Sequence, residues 1–204
     1  MKAFGSACIL AGGRGERMRG QDKLYLELGG ERLAARIAAS LRQRFEDVIV
    51  ATSRPEAFLS LGLRCVSDEP GYEGPLAGLL AGLRAANSRW LYLIAVDMPA
   101  FSLPWVDELM RRISQAESAG EKAAACAAAS GPYFEPFQAF YSCSLLDHAA
   151  GGEAKPARSI QRMLAGKQVL RVPEAQALGY GAPALFQGIN TPEELAAARL
   201  AISP

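Results

Sequence analysis

The chain has a single histidine, His148, in 204 residues, and no serine or cysteine in a recognisable nucleophile motif. Triad chemistry, which needs a base beside its nucleophile, therefore has no support. Its four cysteines, Cys8, Cys65, Cys126 and Cys143, are widely spaced and form no C-x-x-C pair. That excludes the usual zinc spacing and a compact disulfide framework, and predicts reduced, buried thiols. No apolar run approaches the ~20 residues of a membrane span. The formal net charge is only +1, so nothing global draws the chain to nucleic acid or a membrane surface, and any anion site must be local. The brief apolar stretch near the N-terminus runs straight into Gly12-Gly13 and reads as a first strand, not a signal peptide. A reducing cytoplasm is the expected setting.

With half its residues hydrophobic, the chain has enough apolar content for one well-buried core. Apolar and amphipathic segments alternate along it. "ACILA", "DVIVA", "RCVSD" and "RWLYLIAVD" read as strands, the last as a central one reaching Asp97. "ERLAARIAASLRQRF" sets Leu33, Ile37, Leu41 and Phe45 on one helical stripe. "GPLAGLLAGLRAAN" reads as a helix with Pro75 at its first position, and "PWVDELMRRISQAES" as another opened by proline. "AAACAAAS" and "EPFQAFYS" are taken as strands, followed by a helix near "ARSIQRMLAG" and a strand "VLRVP". "INTPEELAAARLA" is a helix whose Thr191 and Glu194 predict a capping box. "GGEAKPARS" and "EAQALGYGAPA" are expected to be loops. The alternation predicts an α/β fold with a single doubly wound, mainly parallel sheet, and residues 1–204 are expected to form one domain.

"LAGGRGERMRGQDK" follows the first strand, at the edge where open α/β sheets bind ligands. Gly12 and Gly13 can take positive φ and bring backbone N–H groups close to a phosphate. Two familiar phosphate turns fail on spacing. Gly15 to Gly20 has the P-loop interval, but Gln21-Asp22 follows where Lys-Ser or Lys-Thr belongs. Gly13 and Gly15 begin a G-x-G-x-x-G fingerprint, but Met18 occupies its third glycine. What remains is a glycine turn followed by Arg14, Arg17, Arg19 and Lys23. That group suits a triphosphate, and equally suits a solvated basic loop.

This stretch resembles the first block of the nucleotidyltransferase family that includes the molybdenum cofactor guanylyltransferases. "DEPGYEGPLAGLLAGL", "VDMPAFS" and "INTPEELAAAR" resemble three later blocks at appropriate intervals. The resemblance implies transfer of GMP from GTP to the terminal phosphate of molybdopterin, with release of pyrophosphate and Mg²⁺ as cofactor. It implies that Leu10, Ala11, Gly12 and Gly13 hold the nucleotide, and that Arg17 and Lys23 neutralise the triphosphate. It also places Asp68 near the base or ribose and makes Asp97 the Mg²⁺ ligand, with Arg158 and Asn190 on the acceptor side. Molybdoenzymes or other cofactor-assembly proteins would be its partners. A phosphate nucleophile is already ionised near neutrality, so the scarcity of histidine is no obstacle; His148 is assigned to a surface or helix end.

Taken on their own, several of these residues also have plainer readings. Asp97 ends a strand as apolar as "WLYLIAV", where a loop-bonding aspartate is common, and Asp68 could bond the "EPGYEGP" turn. The start of "GPLAG" could present N–H groups to an anion, or Gly78 and Gly82 could serve close helix packing. Arg158 could lie at the solvated start of a helix. Two positions depart from the family pattern. Ala51 stands where asparagine is usual, with Thr52 and Ser53 offering hydroxyls beside it, and Gly188 replaces the first asparagine of N-x-N-T-P-E. Leu10-Ala11-Gly12-Gly13, against the L-A-A-G of cytidylyl relatives, favours guanine. The rival readings are a related transferase using CTP or another phosphorylated acceptor, and a non-catalytic nucleotide or cofactor carrier.

Overall fold

A computed structural model describes residues 1–12, 23–149, 157–182 and 184–202, with Lys23, 148–149 and 200–202 described only by their backbone. In chain order, β1 (Lys2–Leu10) leads to a short hairpin of β2 (Glu27–Leu28) and β3 (Glu31–Arg32), then α1 (Leu33–Arg42). β4 (Asp47–Ala51), β5 (Arg64–Val66), α2 (Gly74–Ala85), β6 (Ser88–Ala95) and α3 (Leu103–Ser118) follow. The second half comprises β7 (Ala125–Ser130), β8 (Tyr133–Phe134), β9 (Ala139–Ser142), α4 (Leu145–Ala149) and α5 (Ile160–Met163). It continues through β10 (Val169–Pro173) and α6 (Glu174–Ala177) to α7 (Pro192–Ile202).

The sheet runs β10-β7-β9-β6-β1-β4-β5, with β8 paired to β7. β1 is parallel to both β4 and β6, and β4 is parallel to β5. β9 is antiparallel to β6 and to β7. The mainly parallel, doubly wound reading therefore holds, with β9 reversed inside the sheet and the two-residue β8 reversed beside β7.

Alternation along β1 explains why helices cover both faces. Ala7 and Ile9 join the core under α1 and α3, with Ile37, Leu41, Trp105 and Leu109. Cys8 and Leu10 face the opposite core, under α2, with Leu76, Leu80 and Leu83. A strand buried on both faces has no polar alternation, so β1 and β6 read as nearly continuous apolar runs. Each fully buried leucine or isoleucine contributes roughly 1.5–3 kcal/mol. The predicted stripe holds: Leu33, Ile37 and Leu41 are buried in α1, and Phe45, just past its end, is buried too.

Several local readings shift. β5 ends at Val66 and β6 at Ala95, so Asp68 and Asp97 lie two residues beyond their strands. α2 begins at Gly74, which has φ +62, so Pro75 is the first residue able to take right-handed helical backbone. The segment "EAQALGYGAPA" is not simply loop, since it carries α6 and a 3-10 turn at Leu178–Tyr180, with Ala177 buried. Of "GGEAKPARS", residues 151–156 lie outside the described residues. The capping box forms as predicted: Glu194 N–H donates to Thr191 Oγ1 at 3.1 Å, and Thr191 N–H donates to Glu194 Oε2 at 3.0 Å.

All four cysteines are free, but only Cys8 and Cys126 are buried; Cys65 and Cys143 are half-buried. Among the described residues no helix is long and apolar enough to cross a membrane.

Candidate active site at the carboxyl edge of the sheet

Parallel pairing brings the ends of four strands into one row. Leu10 pairs with Ala51 and Ala95, and Ala51 pairs with Val66. The backbone pairing extends just past these ends: Ala11 N–H donates to the Ala51 carbonyl, Val96 N–H to Leu10, and Thr52 N–H to Val66. Beyond that point the chains diverge, so Gly12, Asp68 and Asp97 emerge where the order of strands reverses around β1. Open α/β sheets hold their ligands at such a place.

Asp68 reaches back across the row. A Cβ on Gly12 would lie 3.5 Å from Asp68 Oδ2, and one on Gly78 of α2 would lie 3.3 Å from Asp68 Oδ1. At Gly12 a Cβ would make only ordinary contact with Asp68, and its φ is not positive, so neither crowding nor a left-handed backbone demands glycine there. Gly78 and Gly82 serve close packing. A Cβ on Gly78 would lie 2.7 Å from Leu10 Cδ2, and one on Gly82 would lie 2.9 Å from Cys8 Sγ. Burial pushes the Asp68 carboxyl above the ordinary carboxylate range. A partly desolvated carboxylate held between two glycines is suited to accept from N–H or O–H groups of a ligand.

Asp97 belongs to a second cluster. Its backbone carbonyl accepts from Ile189 N–H at 2.7 Å, which seats the segment before α7 against the loop after β6. A Cβ on Gly188 would lie 3.4 Å from Asp97 Oδ1 and 3.2 Å from Asn190 Nδ2, while that Nδ2 donates to the Gly188 carbonyl. Asp97 and Asn190, far apart in sequence, therefore share one corner, and Gly188 leaves room beside the carboxylate. Among the described residues no group of three metal-ligating side chains forms. One half-buried carboxylate at the sheet's carboxyl edge fits Mg²⁺, which keeps several waters and takes phosphate oxygens as its remaining ligands.

Other expected residues are placed less informatively. Gly13, Arg14, Arg17 and Arg19 lie outside the described residues, as do the side chains of Lys23 and His148. Lys23 opens a 3-10 turn, Lys23–Tyr25, ahead of the β2–β3 hairpin. Arg158 is exposed, one residue before Ser159, which caps α5 by accepting from Arg162 N–H. The Thr52 hydroxyl cannot replace the missing asparagine, being buried and committed: it donates to the Ala11 carbonyl at 3.2 Å and accepts from Arg54 N–H at 3.0 Å. Ala51 itself packs under α2, where a Gly78 Cβ would lie 3.3 Å away. Ser53 is exposed.

Residues 7–172 match the MobA-like NTP transferase domain. The chain belongs to the MobA-like NTP transferase family. A probable molybdenum cofactor guanylyltransferase from Peptoclostridium acidaminophilum is 36% identical over 195 residues, covering 95% of this chain and 88% of that protein. A molybdenum cofactor guanylyltransferase from Syntrophotalea carbinolica is 34% identical, over 94% of this chain and 89% of that one. In fold, this MobA-like chain matches the molybdopterin-guanine dinucleotide biosynthesis protein A of Archaeoglobus fulgidus, with TM-score 0.73 at 24% identity over 96% and 97% of the two chains. Membership makes it a nucleotidyltransferase.

Gln138 escaped the sequence reading. It sits within "EPFQAFYS", yet it is fully buried between the two loops that meet at the Asp97 cluster. The available signal was a lone amide between the apolar residues Phe137 and Ala139.

Proposed function

We propose that this chain transfers GMP from GTP to the terminal phosphate of molybdopterin. The observation that carries this reading is the placement of two carboxylates, Asp68 and Asp97, beyond the ends of strands on either side of β1, each close to a glycine. The family and the names of its relatives point the same way. An acceptor phosphate oxygen attacks the α-phosphorus, a new P–O bond forms, and the bond to the β-phosphate oxygen breaks as pyrophosphate leaves. No proton need be abstracted, because a phosphate monoester is largely ionised at neutral pH. Positioning and charge neutralisation supply the catalysis.

In this reading Asp68 accepts from the base or ribose, and the backbone of Leu10, Ala11, Gly12 and Gly13 holds the nucleotide. Arg17 and Lys23 neutralise the triphosphate and the departing pyrophosphate. Asp97 would hold Mg²⁺, which supplies positive charge to phosphate oxygens as negative charge shifts to the leaving group. Asn190 and Arg158 are assigned to the acceptor side. The product would pass to molybdoenzymes or cofactor-assembly proteins in the cytoplasm.

Purified protein with Mg²⁺ and molybdopterin, offered GTP or CTP separately, tests the reading by pyrophosphate release and dinucleotide product. Product from GTP is expected. Product from CTP alone would overturn the base assignment, and none from either would overturn the acceptor or the reaction. Asp97→Ala should lower turnover by several orders of magnitude, since metal charge compensation contributes several kcal/mol. Arg17→Ala and Lys23→Ala should chiefly impair use of the triphosphate.

A further inference from the structure

Gln138 is the single non-glycine among the described residues with a positive φ, +53°. It is completely buried. A glutamine in the left-handed region is strained, and glycine would take this backbone more readily. Such strain persists where the surroundings over-determine it, so the side chain's partners are informative.

With the backbone carbonyl's partner, they join four parts of the protein. The Gln138 amide nitrogen donates to the Ala100 carbonyl at 2.8 Å and to the Leu185 carbonyl at 3.0 Å. Its amide oxygen accepts from the Tyr92 hydroxyl of β6, and its backbone carbonyl accepts from Trp105 Nε1 of α3. Ala100 lies three residues after Asp97, and Leu185 lies three before Gly188. One amide group therefore bridges the two loops whose far ends meet at the Ile189 N–H to Asp97 carbonyl bond. Both amide protons are used, and the oxygen is pinned from the strand side, so the group has no rotational freedom with which to relax.

The reversed strand makes this possible. Because β9 runs antiparallel to β6, its first residues, not its last, lie at the carboxyl edge. Gln138 immediately precedes β9, and its left-handed backbone accompanies a carbonyl bonded to Trp105 and a side chain bonded between the loops.

We propose that Gln138 is a positioning residue for the transfer reaction, a two-loop staple that sets the Asp97 carboxylate against Gly188 and Asn190. The proposal rests on the functional reading above only for its kinetic consequence. Its structural consequence can be read without any substrate. Gln138→Met keeps the volume and removes both donations. Tyr92→Phe removes the bond to the amide oxygen and leaves the staple in place, so it controls for a general loss of stability.

Amide hydrogen exchange by NMR on the unliganded protein reads the staple directly. In Gln138→Met the Ile189 amide should exchange about tenfold faster while Leu93, in the centre of β6, keeps its protection. In Tyr92→Phe the melting temperature should fall with Ile189 unchanged. In the GTP assay, Gln138→Met should lose kcat about tenfold and need more Mg²⁺ for half-activation, with KM for GTP changed by less than about twofold. Unchanged Ile189 exchange in Gln138→Met would overturn the proposal, as would equal loosening in Tyr92→Phe. A wild type that turns over no GTP would refute the functional reading, and the exchange measurement would still decide the staple.

Discussion

Gly78 and Gly82 lie one turn apart on the same face of α2, and alanine should do different damage at each. At either site alanine gains about 0.8–1 kcal/mol of helix propensity over glycine, against an overpacking cost of about 1–3 kcal/mol. At Gly82 the new Cβ would meet Cys8 Sγ at 2.9 Å, Leu91 Cδ2 at 2.9 Å and Cys8 Cβ at 3.1 Å. Both neighbours are fully buried in central strands and have nowhere to go. The upper part of the range applies, for a net loss of about 1–2 kcal/mol, or about 2–8 °C in Tm for a chain of this size. At Gly78 the one contact below 3.0 Å is with a methyl of Leu10, which can turn aside, so stability should stay within about 1 kcal/mol of wild type. The Gly78 Cβ would, however, press within 3.3 Å of Asp68 Oδ1. Small displacements of positioning groups are costly, so kcat/KM for GTP should fall about 10–100-fold. Urea melts and GTP-dependent pyrophosphate release measure the two effects separately. If Gly78→Ala loses as much stability as Gly82→Ala and keeps its GTP kinetics, Gly78 is packing alone and Asp68 does not touch the nucleotide.

Thr191→Ala removes the acceptor of the Glu194 N–H at the start of α7 and should cost about 1 kcal/mol in a denaturant melt. Hydrogen bonds from Arg111, then Arg112, hold Glu108 down to about 2. Its folded value is depressed, so the stabilisation is present above the unfolded glutamate value and is lost as pH falls toward about 2. Glu108→Gln should therefore show a shallower loss of stability than wild type between about pH 5 and pH 2, followed by circular dichroism. Burial pushes the Cys8 and Cys126 thiols up to about 12 and Cys143 up to about 11. Thiolate is the reactive form, so at pH 8 the folded protein should leave all three largely unalkylated by iodoacetamide, and unfolding in urea should release them. Rapid native labelling of Cys8 would contradict its place under Gly82.

Where one period dominated, the fold was legible in the residues themselves. β1, β4 and β6 are apolar on both faces because helices cover both, and α1 and α3 carry single stripes. The reversed β9 was not legible, because antiparallel and parallel strands of this length share the same composition. The first cluster was partly readable, since glycines and carboxylates at strand ends fall where such sheets bind ligands. The second was readable only as a family block, because Asp97 meets Gly188 and Asn190 through a contact spanning about ninety residues, and local pattern carries no such information. The role of Thr52 was not legible for a similar reason: its hydroxyl bonds Ala11 and Arg54 in a turn that sequence does not display.

The reversed strand also orders events in time. β6, β1, β4 and β5 are neighbours in the sheet and all end by Ala95 in the chain, so the ribosome has made these four parallel strands before half the length is synthesised. β7 has no place beside β6 until β9 arrives to separate them, which requires synthesis to pass Ser142. The nascent protein thus holds an exposed edge on β6 through roughly fifty residues of elongation, and Lys and Arg are absent from that edge between Trp90 and Val96. That interval is when the chain is most open to pairing with the wrong strand.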